Sequence, residues 1–126
     1  MEIRPKATRK GPAAWFTGEV TLDVIKQADD ASTTSIAAVR FEPGARTAWH
    51  SHSDGQTLYV TDGEGRVQSR GETKAVIRPG DVIETPGGEW HWHGAAPAHG
   101  MTHLSITHGA ASWGEHVTDD DYHAGD

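Results

Sequence analysis

Nine histidines and no cysteine stand in a chain of 126 residues, and four of those histidines form two H-x-H pairs. His50 and His52 flank Ser51, and His91 and His93 flank Trp92. Alternate side chains of a strand share a face, so each pair presents two imidazoles together if it lies on a strand. Ser53-Asp54-Gly55 is a tight turn that brings Gln56 beside His50 and His52. Leu58 and Val60 follow on the Gln56 face and mark it as an interior one. With no thiolate on offer, a metal ion here is held by nitrogen and oxygen. Imidazole suits Mn, Fe, Co, Ni, Cu and Zn, and an amide oxygen leans to the harder end of that range. Four protein ligands leave open positions on a six-coordinate ion, where a substrate can bind. A lone H-x-H is more often a polar surface pair. Two of them in one small chain, each after turn signals, point to a site.

Short β runs must position these residues. Glu19–Ile25 alternates apolar and polar residues, Thr34–Phe41 is β-rich and stops at Glu42-Pro43-Gly44, and Gln56–Thr61 ends at Asp62-Gly63. Arg66–Ser69, Lys74–Ile77, Asp81–Thr85, Trp90–Gly94 and Met101–Thr107 follow, with turn residues between them. This even, short spacing predicts an all-β sandwich or barrel. A short helix is expected near Thr118–Tyr122, capped by Thr118 and with three aspartates at the positive end of its dipole.

Composition narrows the partners. A chain of this length makes one domain with one core. The net charge of −7 disfavours nucleic acid and anionic lipid. Arg4, Lys6, Arg9 and Lys10 read as a solvated basic tail. No apolar run has the length of a membrane helix or the form of a signal peptide, so the cytoplasm is the expected location.

The spacing also carries a family resemblance. Gly44, five residues, His50, one residue, His52, three residues, Gln56, six residues and Gly63 resemble the first cupin motif, with Gln where Glu is usual. Gly80, five residues, Pro86, one residue, Gly88, two residues and His91 resemble the second, with Ala95 where Asn is usual. The resemblance implies a double-stranded β-helix over one domain, 1–126, with a barrel core at about 33–108. It further implies a divalent ion on His50, His52, Gln56 and His91, with His93 outside the ligand set. Longer stretches, among them Gly11–Gly18, Phe41–His50, Trp90–Pro97, Met101–Leu104 and Glu115–Thr118, resemble the bacterial cupins that include the manganese-dependent (R)-selective hydroxynitrile lyases. Gln as fourth ligand is typical of that group. The resemblance implies Mn2+, with Fe2+, Ni2+, Co2+ and Zn2+ compatible with the same donors, and a small-molecule cyanohydrin substrate. Family habit also implies a homodimer or homotetramer.

Neutral ligands leave the ion its full double charge, which favours Lewis-acid chemistry over oxygen activation. A lyase then needs a proton shuttle. His93 lies about 7 Å along its strand from His91 and serves either as base or as hydrogen-bonding support. His103 is a second candidate, turned inward with Met101 and Ser105, and Thr47 a third, hydrogen-bonding to substrate. The alternatives are an iron, nickel or manganese dioxygenase or isomerase of a small oxygenated substrate, and a non-catalytic small-molecule-binding cupin. Trp49, Trp90 and Trp92 are expected to face away from the metal. Trp15 and Trp113 are expected at a subunit contact.

Overall fold

The computed structural model describes residues 1–126. In chain order the strands are β1 (Ala7–Lys10), β2 (Phe16–Thr17), β3 (Val20–Lys26), β4 (Thr34–Phe41), β5 (Arg46–Thr47), β6 (His50–His52), β7 (Gln56–Gly63), β8 (Gly65–Ser69), β9 (Ala75–Ile77), β10 (Val82–Thr85), β11 (His91–Ala95), β12 (Met101–His108) and β13 (Ala111–Trp113). A five-residue helix, α1 (Asp119–His123), follows. No helix is long and apolar enough to cross a membrane. One sheet runs β1-β3-β4-β12-β7-β10 and the other β13-β6-β11-β5-β2, with β8 also paired to β11 and β9 to β8. This is the all-β double-stranded β-helix that the family resemblance implies.

The two sheets enclose an apolar core drawn from both. Val39, Phe41, Val60 and Met101 come from the first, and Phe16, Ile77 and Ala95 from the second. Alternation explains the selection: Gln56, Leu58 and Val60 are buried while Tyr59 and Thr61 are exposed. The odd residues of β12 likewise face inward, and the side chains of Met101 and His103 are fully buried.

A second cluster lies on the outer face of the second sheet. Trp49 and Trp92 pack there with Val117 and Tyr122, and Trp90 lies against them. The C-terminal segment covers this face because Arg46, itself buried, holds it down. The Arg46 guanidinium donates to the Val117 carbonyl through Nε (3.1 Å) and Nη2 (2.7 Å) and to Asp119 (2.8 Å). The Tyr122 hydroxyl donates to the Ala95 carbonyl at 2.5 Å, and its ring lies 4.6 Å beneath the Arg46 guanidinium. Thr118 caps α1, accepting from the Asp121 amide at 3.1 Å.

The N-terminal basic stretch is not a loose tail. Ala7–Lys10 pairs with β3, and Thr8 and Lys6 both reach the buried Asp23 carboxylate. Arg40 adds a third contact at 2.6 Å. The hydrogen bonds from Thr8 and Lys6 hold the Asp23 carboxyl well below the usual range. All four residues of β1 are exposed, so their sequence shows no apolar period that would reveal the strand.

The register between β12 and β7 shifts between Thr102 and His103. Thr102 pairs with Asp62 while His103 pairs with Val60, which leaves Thr61 as the extra residue of a bulge. The bulge keeps both His103 and Val60 facing inward. Next to it the backbones of Gly63 and Gly100 approach so closely that a Cβ at Gly63 would lie 1.9 Å from the Gly100 carbonyl oxygen. Gly63 also has φ +81°. Gly71 has a similar φ of +83° but open space around it. Gly63→Ala is therefore expected to destabilise the fold by more than about 3 kcal/mol, clash and backbone strain together. Gly71→Ala should cost about 1–2 kcal/mol. Urea unfolding midpoints of the two variants check this, and equal midpoints would remove the close approach as a constraint.

Candidate metal centre

β6 and β11 are neighbours, and His50 and His91 are register partners. Their ring centroids lie 4.3 Å apart. His52, two residues along the same face, lies 5.0 Å from His50 and 5.7 Å from His91. Gln56 opens β7 in the opposite sheet, and its Oε1 comes within 3.0 Å of His91 Nε2. All four residues are buried.

Hydrogen bonds fix how these groups face one another. His50 Nδ1 donates to the Ala48 carbonyl and His91 Nδ1 to the Glu89 carbonyl, each at 2.9 Å. A carbonyl oxygen only accepts, so both Nδ1 atoms carry the proton and both Nε2 atoms keep a lone pair. Gln56 Nε2 donates to Ser105 Oγ (3.0 Å) and Thr107 Oγ1 (3.2 Å), which turns its oxygen toward His91. Burial is the main cause that lowers the His91 pKa, so this imidazole is neutral at pH 7. Two acceptors therefore confront each other at 3.0 Å with no proton between them. Both nitrogens of His52 are buried without a hydrogen-bond partner. Buried acceptors in this state demand a partner, and a divalent cation shared by the donors satisfies all of them. The site fits a metal ion.

His93 and His103 form a second pair behind this group. His93 Nδ1 lies 2.9 Å from His103 Nε2, while His93 Nε2 is buried without a partner. One ring nitrogen from each of His50, His91 and His93 lies within 4.8 Å of the other two. That triangle contains His93 where the family motif implies His52. The two differ in their bonding, since one His93 nitrogen is engaged by His103 and neither His52 nitrogen is engaged. Thr47 Oγ1 accepts from the His93 backbone amide at 3.2 Å. Gly94 permits this, because any Cβ there would meet the Ala45 carbonyl and Arg46 at 2.5 Å.

Burial sets the protonation of the group. It lowers the pKa of His52 and of His103 to about 4, with the neighbouring His91 adding to the effect at His52. It pushes His50 and His93 well below the ordinary value, aided at His50 by His91 and at His93 by His103. All five imidazoles are neutral at pH 7, the form that binds metals.

A cavity of about 240 Å³ opens beside them. Thr47, His50, His52, Gln56 and His93 are among its polar lining residues, and Trp15, Phe16, Leu22 and Trp113 among its apolar ones. The sequence brought Ser105 inward with His103, and Thr107 has the same parity on β12, a signal that finds it. Trp113 stacks on His50 within the chain. β13, which carries it, is three residues long and without apolar period.

Known proteins are similar to this chain in sequence and fold. Residues 37–106 match the cupin domain. The chain is 52% identical to an (R)-mandelonitrile lyase of Granulicella tundricola, over 97% of its own length and 98% of the relative's. A cupin-like protein of Thermotoga maritima is 39% identical and superposes with a TM-score of 0.88, covering 97% of this chain and 95% of that one. An acetylacetone dioxygenase of Acinetobacter johnsonii shares the fold at 15% identity and a TM-score of 0.68, over 90% and 74% of the two chains. On its sequence, its paired sheets and its histidine-lined mouth, this chain belongs to the cupin family.

Proposed function

We propose that the chain is a metal-dependent hydroxynitrile lyase. One divalent ion, Mn2+ foremost, is held by His50, His52, Gln56 and His91, and cyanohydrins are split or formed in the adjoining cavity. The observation that carries the metal is the acceptor-to-acceptor approach of His91 Nε2 and Gln56 Oε1. The 52% identity to an (R)-mandelonitrile lyase supports the reaction. His52 is preferred to His93 as ligand because both its nitrogens are free of other partners.

Bound there, the ion supplies an undiminished double positive charge next to which an oxyanion or cyanide is stabilised. The chain's own groups do the rest. The apolar side chains of Trp15, Phe16 and Leu22 take the organic substituent and exclude water. His93 Nε2 takes the hydroxyl proton of the cyanohydrin, a role that requires the tautomer in which His93 Nδ1–H donates to His103 Nε2, 2.9 Å away. The electron pair left on oxygen forms the carbonyl, the bond to the nitrile carbon breaks, and cyanide leaves with the electrons of that broken bond. His93 returns the proton to cyanide, giving hydrogen cyanide and the carbonyl compound. His103 stabilises the transient imidazolium. Thr47, whose oxygen already accepts from the His93 amide, has its hydroxyl proton free for the substrate oxygen.

Metal analysis coupled to cyanide release from (R)-mandelonitrile tests this reading. About one divalent ion per chain is expected, with turnover lost on chelation and restored by Mn2+. His93→Ala should retain the ion and lose at least about 100-fold in turnover. Metal-dependent oxygen uptake without cyanohydrin cleavage would overturn the assignment in favour of oxygenase chemistry.

The depressed histidine pKa values give a second test. Unfolded imidazoles take up protons near 6.5, whereas folded His52 and His103 do so only near 4. Between those values the unfolded state binds more protons, so the metal-free protein loses stability as pH falls from 6.5 toward 4. Above 6.5 this contribution is complete. Melting temperatures of chelator-treated protein should be level above pH 7 and fall below it, with a shallower fall in His103→Gln. A slope of the opposite sign would show these imidazoles charged in the fold.

A further inference from the structure

Trp113 is the register partner of His50 across β13 and β6. Its indole lies on the imidazole at 4.6 Å between centroids and 24° between planes. Trp15, from the loop before β2, stacks on the other face of Trp113 at 5.0 Å and 7°. His50 thus ends a column of three rings that runs inward from Trp15, which is 39% exposed. Backbone bonds from Gly114 N to the Trp49 carbonyl (2.8 Å) and from Trp49 N to the Glu115 carbonyl (2.9 Å) hold the column in place.

The hydrogen bond from His50 Nδ1 to the Ala48 carbonyl anchors one edge of the imidazole. A ring held at one edge can still tilt about that anchor and swing its Nε2 away. A flat indole against the ring blocks the tilt. It also favours the loaded state, because an imidazole bound to a cation becomes electron-poor and an indole face attracts positive charge. We propose that Trp113, clamped by Trp15, is a positioning residue for the metal ion. It fixes the plane of His50 and strengthens its grip on the cation. This rests on the reading of His50 as a ligand.

The test is Mn2+ affinity of the full chain, measured by competition with a chelator alongside the melting temperature of the metal-free form. Trp113→Leu fills the space without an aromatic face and should bind Mn2+ about 10-fold more weakly. Trp113→Phe keeps a stacking face and should stay within about 3-fold of the parent. Leu and Phe variants that bind equally well would overturn the proposal. If Trp113→Leu does not fold, Trp15→Ala, a change at the outer end of the column, carries the test. A loss of about 3-fold or more in affinity supports the clamp, and an unchanged affinity overturns it. A parent protein that takes up no Mn2+ would instead remove His50 from the ligand set, a separate failure.

Discussion

Two lone pairs aimed at each other inside a protein repel, and the fold holds His91 Nε2 and Gln56 Oε1 in that relation at 3.0 Å. Neither can turn away. The Glu89 carbonyl fixes the imidazole from behind, and the hydroxyls of Ser105 and Thr107 fix the amide. Two strands of opposite sheets supply these groups, so the repulsion is built into the way the sheets meet. A cation between them turns an unfavourable contact into a favourable one. Burial keeps the neighbouring imidazoles neutral, and at 4–6 Å separations charged rings would oppose the ion that the lone pairs call for.

The proposed ligand set is uncharged, unlike one built around a carboxylate. With Gln56 in the fourth position, no ligand would cancel the charge of the ion. Anionic groups are then drawn to the open positions, and the trivalent state of a redox metal is less favoured. The adjoining cavity is lined by both hydrogen-bonding groups and aromatic and aliphatic side chains. A small molecule with a polar head and an apolar substituent suits that lining.

Much of this was legible in the residues. The H-x-H pairs and the Gly-Pro-Gly spacing carry the fold, because a turn must reverse the chain where they stand and alternation must then aim the side chains. Thr34–Phe41 was found with its observed ends, since β-branched residues stop at a Pro-Gly turn. β1 and β13 were not. β1 is exposed throughout, and β13 has two exposed residues and a half-buried tryptophan, so neither shows a period that distinguishes strand from coil. The partner of Trp113 was unreadable for the same reason, since a cross-strand neighbour depends on register and register depends on the strand. The Thr61 bulge also leaves no mark, because an extra residue in a ladder has no composition of its own.

Arg46 sits one residue before Thr47, beneath the sheet that carries His50 and His91, and its guanidinium finds its acceptors in the Val117 carbonyl and Asp119. Peeling away the final segment would leave the Arg46 guanidinium only the Gly44 carbonyl as acceptor and would uncover Trp49 and Trp92. Through Arg46 and Tyr122 the C-terminal segment is thus fastened to the outer face of the very sheet whose inner face carries His50 and His91.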